Sequence, residues 1–327
     1  MSERIRWGIL GTGWIANEFA TGLALLPDAE LVAVGSRTSE AADRFAERFG
    51  VPRRHASYEA LANDPAVDVV YVATPNPAHR DNSILCLRAD KPVLCEKPFA
   101  MNASEAAEVI QAARERKLFL MEAMWTRFIP LVARVRELLA QGVIGDVQML
   151  VADLCFLFQF DPADRRYALE LGGGSLLDLG IYPISFASMV FGPPARLATM
   201  AHLGQTGIDE QAAVILGYDR GQLAVVYSSL RVDSPVEAWL MGAKGSIRID
   251  PLWIKPTRLT LSVAGQEAQS MEAPYPGNGY QFEAVEVMNC LREGKLESDV
   301  MPLDETLSIM QTLDQVRGQW GLRYPME

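Results

Sequence analysis

Cys95-Glu96-Lys97-Pro98 ends the apolar run Pro92-Val93-Leu94. Such a run ahead of a helical pattern predicts a strand of a buried parallel sheet, whose last residues emerge at the carboxyl edge where open α/β folds bind ligands. A lysine there, fixed by the following proline, is placed to act on a substrate; a strand-end ion pair of Glu96 is the plainer alternative. Near the start, Ile5–Leu10 reads as a short strand, followed by Gly11-Thr12-Gly13-Trp14-Ile15-Ala16 and a helical stretch to about Leu26. This is the G-x-G-x-x-A dinucleotide fingerprint in its strand–turn–helix setting. Gly11 allows the tight turn, Gly13 the approach of backbone to a pyrophosphate, and Ala16 close helix–sheet packing. Thr12, Trp14 and Ile15 complete the turn, and the helix N-terminus offers unpaired N–H groups to phosphate.

The next strand, Glu30–Gly35, ends in Ser36-Arg37-Thr38. NAD enzymes usually present Asp or Glu to the ribose hydroxyls at this tip. Here nothing acidic stands there, and a guanidinium can pair bidentately with a 2′-phosphate. The tip favours NADP, with NAD as the alternative. Further along, Asp178 precedes Tyr182 by four residues, which puts both on one face if the segment is helical. Asp178 is then a candidate to orient a substrate hydroxyl or Lys97, or simply a charge complementing the helix dipole.

The elements that must position these residues follow from the rhythm of the chain. Residues 1–120 alternate strands near 5–10, 30–35, 68–73, 92–96 and 118–121 with helices near 14–26, 39–49, 58–63, 79–89 and 104–116. That is a doubly wound, Rossmann-type parallel sheet. From about 145 longer strands follow one another at 146–158, 196–205, 211–218, 222–231, 236–241, 246–249 and 258–263. Helices are expected at 130–141, 176–190, 280–293 and Leu303–Trp320. The expected class is α/β: a dinucleotide-binding domain over 1–121, then an α+β domain over 122–327 with a large, mostly antiparallel open sheet. The last helix is expected to pack back toward the first domain.

The 327 residues suffice for two cores. A net charge of −11 argues against a nucleic-acid partner. No apolar run of membrane-spanning length and no signal-peptide pattern are read, so a cytoplasmic protein is expected. Cysteines 86, 95, 155 and 290 and histidines 55, 79 and 202 lack metal-ligand spacing, so no metal is expected and the cysteines read as reduced core residues. The second face of the antiparallel sheet has no helix left to cover it, which predicts a homodimer or a dimer of dimers through that face.

Three segments together resemble the glucose–fructose oxidoreductase/inositol dehydrogenase (Gfo/Idh/MocA) family: the N-terminal fingerprint, Ala73-Thr74-Pro75-Asn76-x-x-His79 with Glu96-Lys97-Pro98, and Gly172-Gly173-Gly174-Ser175-Leu176-Leu177-Asp178-Leu179-Gly180-Ile181-Tyr182-Pro183. Glu122-Ala123-Met124-Trp125-Thr126-Arg127-Phe128 is similar to the dimeric dihydrodiol and NADP-dependent xylose dehydrogenase branch. The chain departs from many relatives in having Asp90 for a glycine and Tyr182 for a histidine.

The resemblance implies that Lys97 and Tyr182 act together beside the nicotinamide. A phenol titrating near pH 10 is a poor base unless a cation lowers its pKa. Tyr182 is therefore the expected general acid/base and Lys97 its electrostatic partner, with Lys97 as proton carrier the alternative. Thr74, Pro75 and Asn76 are expected to line the nicotinamide ribose, with Glu96 bracing the loop or touching the cofactor. His79 is included on the cofactor side, although a capping or packing role is the commoner one. Trp125, Phe156 and Phe158 are candidate pocket walls. Arg127 faces a substrate group or an interface ion pair. Gly172 to Gly174 either admit substrate to backbone or form a loose connection. The implied activity is hydride transfer between NAD(P) and a CH–OH or C=O group of a sugar, polyol or cyclic trans-diol. A catalytically silent nucleotide-binding sensor is the competing reading.

Overall fold

The computed structural model describes residues 4–327, and in it the early apolar runs become one parallel sheet. β1 (Ile5–Leu10) leads to α1 (Trp14–Leu23), β2 (Ala29–Gly35) to α2 (Ser39–Phe49), and β3 (Arg53–His55) to α3 (Tyr58–Ala62). β4 (Val69–Val72) leads to α4 (His79–Arg88), β5 (Val93–Glu96) to α5 (Ala103–Arg116), and β6 (Leu120–Ala123) closes the set. The strand order is β3-β2-β1-β4-β5-β6, with every pairing parallel. β4, β5 and β6 are buried at every position, as expected for strands covered by helices on both faces. β3 was not expected: Arg53-Arg54-His55 carries no apolar signal and pairs only at an edge.

Chain order continues with α6 (Pro130–Ala140), β7 (Val147–Cys155) and a π turn at Leu176–Gly180 that runs into α7 (Ile181–Phe191). β8 (Arg196–Leu203), β9 (Asp209–Gly217), β10 (Leu223–Ser229), β11 (Ala238–Gly242), β12 (Gly245–Ile249), β13 (Arg258–Val263) and β14 (Gln269–Glu272) follow. They form an eight-stranded sheet ordered β14-β13-β12-β11-β7-β10-β9-β8, antiparallel except for β7–β10. One face is buried by α7, which packs on β7 and β10; Phe186 meets Trp253 there at 5.0 Å between ring centroids. The uniform helix expected over 176–190 instead starts as a π turn. Pro183 has no N–H to return to Leu179, so the regular ladder cannot begin until that point is passed.

α8 (Gln281–Arg292) and α9 (Leu303–Gly318) complete the chain. Two compact units result: the described residues up to Trp125 with Pro276–Leu307, and Thr126–Tyr275 with Ser308–Glu327. The linear boundary at residue 121 misses one excursion. Residues 276–307 belong with the first unit, where α8 packs on α1 and Asn278 Nδ2 donates to the Glu18 carbonyl at 2.8 Å. The division falls inside α9, after Leu307.

Contrary to the sequence expectation, one stretch, Leu169–Phe191, is long and apolar enough by length and composition to cross a membrane. Of its most apolar window, 83% is buried within the protein, as in a core helix. All four cysteines are buried and unpaired.

Candidate active site

In the first unit the glycine turn has the expected strain and the expected opening. Gly11 adopts φ +101, and a Cβ there would stand 2.5 Å from the Ala73 carbonyl oxygen. Only glycine fits between β1 and β4 at that point. Gly13, the residue before α1, has nothing within 4 Å of where a Cβ would be. It makes no side-chain cap, and the first turn of α1 carries no acidic residue. Ala16 is fully buried beneath the turn. An open backbone over an uncapped helix end is the cradle a dinucleotide pyrophosphate requires. Thr12, Trp14 and Ile15 lie on its rim, with Trp14 largely exposed.

At the tip of β2, Ser36 is buried and its N–H donates to the His55 carbonyl at 3.1 Å, so β3 fixes the tip. Thr38 caps α2 by accepting from Ala41 N. Arg37 and Thr38 are both exposed, and Arg37 carries the charge at the tip. Its charge acts on Tyr58, drawing down a phenol that burial otherwise raises more strongly. Tyr58 is a neighbour of the cofactor tip that the sequence reading did not single out.

The end of β5 is braced from below. Glu96 is buried; it accepts a hydrogen bond from the Tyr71 hydroxyl and another, at 3.1 Å, from the Lys97 N–H. Tyr71 stacks on Phe19 with centroids 3.8 Å apart. Behind it lies Glu283 of α8, fully buried, with no hydrogen-bond partner for either carboxylate oxygen. Burial, and then the charge of Glu96, holds the Glu283 carboxyl well above its ordinary range. Lys97 is half-buried at the strand edge.

His79 is 1% exposed. Nδ1 lies 2.7 Å from the Pro98 carbonyl and Nε2 lies 2.8 Å from the Thr74 carbonyl. Both nitrogens thus lie against protein backbone, and His79 ties the Thr74 and Pro98 loops together. Burial lowers its pKa against the pull of the two carbonyls. Asn82 holds the Thr74 hydroxyl at 3.0 Å; Pro75 and Asn76 lie farther out on the same loop. Trp125 is buried, its ring 4.7 Å from that of Tyr280.

In the second unit Tyr182 stands in the first turn of α7 and is 7% exposed. Asp178 lies within the π turn, so the spacing between them is not α-helical throughout. Its carboxylate pairs with Arg165 at 3.3 Å, a partner that sequence reasoning missed because the two are joined only by the turn of the chain. Arg127 is buried, donating from Nε to Ser185 Oγ at 3.1 Å and from Nη2 to the Ser185 carbonyl at 2.8 Å. These bonds make it an anchor for the helix that carries Tyr182. Phe156 and Phe158 meet edge to face, 6.2 Å apart, with the Arg166 guanidinium 3.9 Å over the Phe158 ring. Gly173 and Gly174 do not form a loose connection: a Cβ at 173 would lie 2.7 Å from the Arg166 carbonyl, and one at 174 would lie 2.3 Å from Asp209 Oδ1.

A glycine cradle over an uncapped helix, with a lysine held at the sheet edge by a buried carboxylate, defines a nicotinamide-dinucleotide oxidoreductase. The family described as "Oxidoreductase family, NAD-binding Rossmann fold" matches residues 5–124, and the "GFO/IDH/MocA C-terminal domain" matches residues 132–248. This chain belongs to the Gfo/Idh/MocA family and is an NAD(P)-dependent dehydrogenase of it. It is 39% identical over 335 residues to the trans-1,2-dihydrobenzene-1,2-diol dehydrogenase of Mus musculus and 38% identical to that of Homo sapiens, each match covering 99% of both chains. Among solved structures, a 3-ketoreductase from Actinomadura kijaniata in complex with NADP and TDP-benzene is similar at 26% identity and TM-score 0.84, covering 97% of this chain and 98% of its own. An aldose–aldose oxidoreductase from Caulobacter crescentus, complexed with glycerol, is 25% identical with TM-score 0.88, covering 98% of this chain and 99% of its own.

Proposed function

We propose that this chain is an NADP-preferring oxidoreductase that interconverts CH–OH and C=O on a six-membered ring bearing adjacent secondary hydroxyls, a sugar or a cyclic trans-diol. The observation that carries this reading is Lys97, held at the carboxyl edge of the cofactor-binding sheet by the buried Glu96–Tyr71 pair. The substrate class draws support from the relatives. A dihydrobenzenediol and a pyranose aldose differ in polarity but share ring carbons carrying neighbouring hydroxyls.

The bound nicotinamide supplies or accepts the hydride. Tyr182 takes the hydroxyl proton as the C–H bond breaks and returns it in reduction. The Lys97 ammonium lowers the phenol's pKa and stabilises the developing alkoxide. Asp178, paired with Arg165, orients a substrate hydroxyl. The 3-ketoreductase relative was also solved with a lysine and with a tyrosine replaced, which is consistent with this pair of residue types mattering. The active form is a homodimer through the uncovered sheet face.

The test follows NADPH absorbance over aldopyranoses, anhydro-sugars and cyclic trans-diols. Turnover with NADP on at least one class is expected, and Tyr182→Phe should lower kcat by about 10²–10⁴ while NADPH affinity is kept. No turnover on any class, with NADPH still bound, would make the chain a silent nucleotide sensor. Near-wild-type turnover in Tyr182→Phe would remove Tyr182 from proton transfer.

A further inference from the structure

The segment bearing Asp178 and Tyr182 is held at its start by a residue of no evident motif. Asp209, the first residue of β9, is fully buried. Its Oδ2 accepts from Ser175 Oγ at 2.8 Å and from the Leu176 N–H at 2.7 Å, the N–H that opens the π turn. Ser175 Oγ also meets Ser228 Oγ of β10 at 3.1 Å. The other oxygen, Oδ1, has no hydrogen-bond partner and faces Gly174, whose φ of +125 and missing Cβ let the backbone come that close. From the C-terminal tail the Tyr324 hydroxyl donates to the Gly173 carbonyl at 2.8 Å. The glycine run is therefore gripped on both sides, by a carboxylate and by a phenol.

We propose that Asp209 is a positioning residue for proton transfer: by clamping Ser175 and Leu176 it fixes where the π turn begins, and so where Asp178 and Tyr182 stand. The proposal rests on the reading of Tyr182 given above. A turn whose first N–H is unheld can restart one residue later, and an error of about 1 Å at a reacting group costs on the order of 10²-fold in rate. Burial pushes the Asp209 carboxyl up to about 7, against the opposing hydrogen bonds from Ser175 and Leu176. The titratable group facing it is Tyr324, raised by its own burial. Behind Tyr324, Arg317 is paired with Glu327. Glu210, next on β9, is paired with Arg231 at 3.5 Å, and Asp178 with Arg165.

The sign of the pH effect follows. A carboxyl whose folded pKa lies above its unfolded value favours the folded state while protonated. That stability is lost as pH rises from about 4 through about 7.

Asp209→Ala and Asp209→Asn test the assignment. In Asp209→Ala, kcat should fall about tenfold or more with NADPH affinity within about twofold of wild type. Amide exchange across residues 174–182 should quicken. Asp209→Asn keeps an acceptor for Leu176 N–H, and it should restore most of the protection and of kcat. Relative to Asp209→Asn, the wild type should lose melting temperature between about pH 4 and pH 7. Unchanged exchange in Asp209→Ala overturns the clamp even if no substrate is ever found, since that readout needs no turnover. An unchanged kcat, or an equal loss of kcat and of NADPH affinity, overturns the positioning role. If Asp209→Ala does not fold, Asp209→Asn decides: a wild type whose melting temperature keeps pace with it across that pH range refutes the buried titration, and faster exchange at 174–182 in it refutes the acceptor.

Discussion

The proposed preference for NADP over NAD rests on one exposed side chain, Arg37. Ser36 is buried and committed to β3, and Thr38 is spent capping α2, so the guanidinium is what the β2 tip offers a ligand. A charge-assisted hydrogen bond contributes roughly 1.5–3 kcal/mol, equivalent to about tenfold or more in affinity. Arg37→Ala should therefore raise Kd for NADP by at least that factor and leave Kd for NAD within about twofold, as read by titration of protein fluorescence. Parallel losses for both cofactors would assign Arg37 to the fold instead. His79 is a second case at the same scale. Its motif placed it among the cofactor residues, and both ring nitrogens lie within hydrogen-bond distance of backbone carbonyls. A histidine in a sequence announces two polar atoms, and their partners are decided only when distant loops meet.

At the scale of elements, the π turn at Leu176–Gly180 is the piece that sequence periodicity misdescribed. Apolar spacing signalled helix and could not register that Pro183 withholds an N–H or that Asp209 claims another. Gly174 measures how tightly the turn is made. An alanine there must adopt φ near +125 and place its Cβ 2.3 Å from a buried carboxylate oxygen. Strain of this kind costs about 1–3 kcal/mol, so Gly174→Ala should lower the thermal midpoint by roughly 5 °C. Gly192→Ala makes a fair control, because it too has positive φ but meets nothing within 4 Å. Equal losses in the two variants would show that φ alone, and no close approach, sets the cost at Gly174.

For the whole molecule the open question is what lies on the outer face of the eight-stranded sheet. Register aligns Ala198, Ile215, Val225, Val151 and Trp239 across five strands, and Met200, Ala213 and Tyr227 in the next row. Met200 is 78% exposed and Ile215 46%. Two contiguous apolar rows facing water suit an isologous interface between copies. Ile215→Glu combined with Val225→Glu should convert a sedimenting dimer to a monomer while leaving NADPH binding intact. A wild type that sediments as a monomer, or a charged variant that stays dimeric, would remove this face as the interface.

Much of this protein was determined by the sequence alone. The glycine fingerprint, the apolar strand ending in Glu96-Lys97-Pro98, and the shift from βα alternation to long strands each depend on neighbours within a few residues. Such local patterns dictated the Rossmann sheet, the second sheet and the candidate chemistry. Tertiary structure decided the rest, because it depends on residues far apart in the chain. Glu283 must come back on α8 to lie buried beside Glu96. Asp209 must pair across a sheet to seize Leu176, and Arg53-Arg54-His55 becomes a strand only because β2 offers it an edge. Hydrogen bonds and buried charges are satisfied by whatever group packing brings within about 3 Å, and no local spacing in the sequence encodes that distance.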